Sequence, residues 1–90
     1  MSKKQSTSKR GTWQVVVFND NDHTFDEVIE LMIIVCGHNT LQAHQCATLI
    51  HSVGEYAVFE DKYDICVDVF EDLVANGLDT ELRKKHVKKR

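Results

Sequence analysis

The chain has no proline and only four glycines in ninety residues. It has no internal repeat, so it reads as one continuous small domain with no room for a second core. No apolar run approaches the ~18 residues of a membrane span. The opening "MSKKQSTSKRGT" is polar and lacks an apolar stretch, which excludes a secretory signal and leads us to expect a cytoplasmic protein. Cysteine is sparse and odd in number. Cys36, Cys46 and Cys66 fit reduced core thiols better than a disulfide framework. Cations are almost missing from the body: Lys62 is the only one in residues 11–82, a segment that holds all fourteen acids. An acidic body attracts cations and repels nucleic acid. The remaining Lys and Arg residues sit in the ends. No aromatic residues interleave them for base stacking, so no nucleic-acid partner is expected.

What is present alternates between strand and helix. "TWQVVVF", 12–18, is a β-branched and aromatic run that predicts a strand. Thr24 followed by Glu27 is a capping box that opens a helix of about 25–36, ended by Gly37. Its residues Val28, Ile29 and Leu31–Val35 cover nearly every face, which predicts a central, mostly buried helix. Asn39 or Thr40 caps a second helix, about 41–52, with Cys46, Ala47, Leu49 and Ile50 on its apolar side, and Gly54 breaks it. "YAVFE" predicts a strand over 55–60. Asp61 is expected to cap a third helix, about 62–75, with Ile65, Val69, Phe70 and Leu73 inward; "LDTEL", 78–82, is a short last strand. The order β-α-α-β-α-β predicts an α+β fold, a three-stranded antiparallel sheet packed on three helices. The expected organisation is a flexible extension at 1–11, a core at 12–82 and a basic tail at 83–90.

The first strand runs straight into Asn19, Asp20, Asn21 and Asp22. A calcium loop begun at Asn19 needs glycine at its sixth position, where Thr24 stands. Cys36-x-His38 and His44-x-Cys46 lack the spacing of a zinc knuckle, since residues two apart on a helix face different ways. A zinc-stabilised domain is therefore a minor alternative. Nothing supplies an oxyanion hole or a third group for a Cys–His nucleophile, and there is no glycine-rich phosphate loop. An enzyme is not expected, nor a cofactor or metal. A plain surface turn is the default for Asn/Asp clusters, whose side chains bond their own backbone. Two features argue for more. The cluster borders the core, between a buried strand and an apolar helix, and His51 closes the second helix three residues before Gly54. If the helices pack together, these acceptors converge on a small pocket with an apolar floor. The competing reading is an acidic interaction module in which the quartet is only a turn.

"VVVFNDNDHTFDEVIE" followed by "QCATLIHSVG" resembles the ClpS family of adaptors for Clp-type AAA+ proteases, over about residues 13–82. The resemblance implies a non-enzymatic adaptor for N-end-rule substrates, with a Clp unfoldase and proteins bearing N-terminal Leu, Phe, Tyr or Trp as partners. It implies that Asn19, Asp20 and His51, with Asn21 beside them, hold the substrate's α-amino group. It also implies a side-chain pocket of Phe25, Val28, Ala47, Ile50 and Leu78. The physical fit is good, because an α-ammonium has three donors and needs convergent acceptors in a negative field. Several members carry Asp where Asn21 stands, many carry Met in place of Phe25, and a larger apolar residue in place of Ala47. Asp64 matches the acidic part of the family's unfoldase-facing surface, whereas the basic position falls near apolar Val69. The N-terminal arm matches the family's extension, implied to engage the unfoldase during delivery.

Overall fold

The computed structural model describes residues 10–85. The extension and tail beyond those bounds lie outside the described residues. Strand β1 (Trp13–Phe18) is the middle of a three-stranded sheet, flanked by β2 (Glu55–Asp61) and β3 (Thr80–Lys84), both antiparallel to it. Its run of three valines explains the placement. Val15, Val16 and Val17 are each at most 1% exposed, and β-branched residues pack well on the pleated surface of a central strand. Val15 pairs with Phe59 and Val16 with Ala57, so Val58 is the extra residue of a bulge. The expected α+β architecture and antiparallel sheet are the architecture found.

Three helices cover one face of the sheet: α1 (Phe25–Ile34), α2 (Thr40–Val53) and α3 (Tyr63–Ala75). The core gathers Val15, Val17 and Val58 from the sheet, Met32 from α1, Ile50 from α2 and Leu73 from α3. Met32 is fully buried, and truncating such a residue to Ala costs roughly 2–5 kcal/mol. The expected capping box of Thr24 with Glu27 opens α1, and of the two expected caps for α2 it is Asn39 that serves, with Gln42 completing a second box.

Four local expectations are corrected. Helix α1 is not buried on most sides; it packs on α2 through one stripe and leaves Ile33 and Ile34 38% and 68% exposed. The apolar excess on its outer face concealed the narrower periodicity of the buried one. On α3, Cys66, Val69 and Leu73 form the buried stripe at i, i+3, i+7, while Ile65 points to solvent. Asp61 closes β2 instead of capping α3. Its Oδ1 accepts from the Lys62 amide at 2.7 Å, and the N-cap position is Lys62, with no side-chain cap. Finally, β3 continues through Lys84, so Arg83 and Lys84 belong to the sheet and not to a tail. Arg83 bridges Glu81 at 2.9 Å and Glu55 at 3.5 Å, and Lys85 reaches Glu60 at 3.0 Å. Cations at the end of the chain thus screen acids on the sheet's outer face.

Candidate functional site

The end of β1 fixes the site. The Phe18 amide donates to the Asp79 carbonyl and the Asn19 amide to the Gly54 carbonyl, both at 2.9 Å. Asn19 is thereby tied to the residue that terminates α2. Gly54 caps that helix in the left-handed region at φ 104°, where a side chain is strained, and the turn brings the last helical residues beside the β1–α1 loop. His51, in the last turn of α2, faces the Asn/Asp cluster across the gap.

Between them lies a cavity of about 490 Å³. Its polar rim is Asn19, Asp20, Asn21, His23 and His51. Its apolar part comes from α1 (Phe25, Val28) and α2 (Ala47, Ile50). Ala47 and Ile50 are both 3% exposed and form its floor, and Ile50 joins that floor to the main core. Phe25 stands at the edge, 39% exposed, with its ring 5.3 Å from that of His44 at an interplanar angle of 81°. Such edge-to-face packing holds the ring in place. Eight of the nine residues expected from the sequence for the amino-group and side-chain pockets are thus brought together. Leu78 is not one of them. It is 4% exposed within the main core, behind the α3–β3 turn, and does not line the cavity. Asp64 is exposed in the first turn of α3 and does not line the cavity.

The residue that the sequence did not single out is His23. Asp20 folds the loop around itself: its Oδ1 accepts from the amides of Asp22 and His23, each at 3.0 Å. Its Oδ2 lies 3.1 Å from His23 Nδ1. The other ring nitrogen, Nε2, lies 3.1 Å from the Asn76 carbonyl at the end of α3, and Gly77 packs against the ring. Burial pushes the Asp20 carboxyl up, but the two amides and the His23 side chain outweigh it and hold it below its ordinary value. Burial pulls His23 down, yet the Asn76 carbonyl, Asp20 and Glu27 together leave it above the ordinary histidine value. The i, i+3 spacing of Asp20 and His23 in a turn was the available signal. Its second partner, 53 residues away, was not visible locally. Asn19 and His51, by contrast, offer acceptors that no other described group engages.

His38 Nε2 lies 2.6 Å from the Val58 carbonyl, burial pushes the Cys36 thiol up to about 12, and the Cys46 thiol is likewise raised. Among the described residues no group of three His, Cys, Asp or Glu side chains is placed to hold a metal ion. No helix among them is long and apolar enough to cross a membrane.

Comparison with known proteins adds three findings. Residues 8–81 match the family described as "ATP-dependent Clp protease adaptor protein ClpS". No curated protein sequence matches the chain. A similar solved structure is that of Agrobacterium tumefaciens ClpS2 bound to L-phenylalaninamide: 15% identity, TM-score 0.70, covering 82% of this chain and 96% of that one. At that identity the likeness concerns the fold.

Proposed function

The chain belongs to the ClpS family of adaptors, and from that premise we propose that it binds the free α-amino group and bulky apolar side chain of N-terminal residues and delivers such proteins to a Clp-type AAA+ unfoldase. The observation that carries this reading is the pairing of open acceptors with an apolar floor in one cavity. Asn19 and His51 accept from the ammonium, Asp20 supplies the charge, and Asn21 adds a secondary acceptor. Phe25, Val28, Ala47 and Ile50 take the side chain.

Magnitudes are adequate. A hydrogen bond to a charged group contributes roughly 1.5–3 kcal/mol. Burying a Leu or Phe side chain contributes a similar amount. A few such terms reach the about −8 kcal/mol of a micromolar complex. An internal residue has neither the charge nor the three donors, so the site selects chain ends. Binding and handing on a ligand needs no reacting group, and the protein acts as an adaptor without catalysis of its own. Asp64, exposed on α3, is the acid we assign to the unfoldase-facing surface.

A fluorescence-polarisation titration with peptides that begin with free Leu, Phe, Tyr, Trp, Arg or Ala tests the side-chain half. We expect at least tenfold tighter binding of the four bulky apolar ends than of Arg or Ala. Equal affinities would contradict the assignment of the apolar floor.

A further inference from the structure

His23 is set between two acceptors, the Asp20 carboxylate and the Asn76 carbonyl, each 3.1 Å from a different ring nitrogen. A neutral imidazole carries one N–H, so it can donate to only one of them and must turn a lone pair toward the other. Only the imidazolium satisfies both. An imidazolium here would place a cation on the rim of the cavity, paired with the same carboxylate that lends the cavity its charge.

We propose that His23 is a positioning residue of this site, held doubly protonated between Asp20 and Asn76 in the free protein, and that binding of a peptide's α-ammonium expels its second proton. The proposal rests on the ammonium reading above. Two cations sharing one carboxylate disfavour each other, and His23, whose ordinary pKa of about 6.5 lies below that of an α-amino group, is the one that discharges first, by losing its proton to solvent. The loop does not depend on that proton. Asp20 Oδ1 keeps its two backbone amides, the Thr24–Glu27 box still closes α1, and the Asn19 amide stays on Gly54. The gain in field thus outweighs the loss of one bond.

The groups facing His23 are Asp20 from its own loop, Glu27 and Glu30 from α1, and His51 from α2 across the cavity. From the end of α3 come the Asn76 carbonyl and the backbone of Gly77. The neighbouring carboxylates keep the second proton on His23 until a ligand competes for Asp20. Affinity for a free amino terminus then rises with pH as His23 discharges, up to the range near 7.7–8.0 where the peptide amine itself deprotonates.

The test compares the full-length protein with His23→Gln, titrating a Phe-initiated peptide with a free amine at about pH 5.5, 6.5 and 7.5. Titration of His51 and of the peptide is common to both proteins and cancels in the ratio of their affinities. We expect the wild-type protein to gain about fivefold on the variant across this range, the size of a moderately screened like-charge interaction. A flat ratio, with end-specific binding retained, overturns the proposal alone. Equal binding of the acetylated peptide overturns the ammonium reading and the proposal with it. Should His23→Gln fail to fold, NMR titration of the wild-type His23 ring decides: its pKa falls when peptide is added, and an unchanged or raised value contradicts the displacement.

Discussion

Asp20 and Glu60 are both carboxylates held below their ordinary pKa, at opposite ends of the β1 neighbourhood. Glu60 owes its shift first to the Gln14 side chain and then to Lys85, both at the ends of flexible chains, and its own side chain is 39% exposed. Asp20 is 20% exposed and is held by two backbone amides and a ring that is itself pinned to another helix end. The first arrangement is a solvated ion pair that salt and side-chain entropy keep weak. The second fixes a charge at the wall of a cavity, where a ligand can use it. Equal direction of shift therefore says little about function; the stiffness of the partners says more.

The largest expected difference is in binding. Asp20→Asn keeps an oxygen for the two amides but removes the charge, so the loop persists while affinity for a Phe-initiated peptide falls about ten- to hundredfold, the effect of one charge-assisted hydrogen bond. Polarisation titration with a parallel thermal melt checks this. Retained affinity would place the carboxylate outside the site.

A smaller effect is expected on stability against pH. The lowered Asp20 pKa contributes stability that is present above its unfolded value, about 3.9, and lost as pH falls through the folded one. The raised His23 pKa contributes stability that is complete below about 6.5 and lost as pH rises through its folded value. The pair therefore stabilises most between about pH 4 and 6.5. Denaturant melts of wild type and His23→Gln should differ most near pH 5–6 and converge toward pH 8. A difference that grows with pH would reverse the assignment. This runs opposite to the predicted affinity, which rises as the same proton leaves.

The smallest effect belongs to Glu60→Gln. Removing an exposed partner of Lys85 should change stability by no more than about 0.5 kcal/mol and leave peptide affinity unaltered. A loss as large as that of Asp20→Asn would erase the distinction between the two carboxylates.

Much of this was legible in the sequence, for identifiable reasons. The valine run of β1, the Thr24–Glu27 box, the Asn39 cap and the glycine after His51 are local signals, and each formed as local chemistry dictates. The convergence of Asn19 and His51 followed from helix packing combined with the acceptors' positions. What stayed hidden depends on contacts across the chain. Leu78 sits beyond the α3–β3 turn, whose geometry decides whether it faces core or cavity. His23 is defined as much by Asn76 as by Asp20. Arg83 and Lys85 look like a basic tail until β3 lays them over Glu55, Glu81 and Glu60. The exposed apolar face of α1 misleads any count of apolar residues, because composition alone does not say which face is covered.

The central claim is that the rim of Asn19, Asp20 and His51 recognises a charged chain end. Two peptides identical but for N-terminal acetylation test it most directly, since acetylation removes the charge and two donors while leaving the side chain intact. Polarisation titration of both against the protein should show the free Phe-initiated peptide binding at least about a hundredfold tighter, as expected for two lost charge-assisted bonds. Comparable affinity for the acetylated peptide would contradict the account.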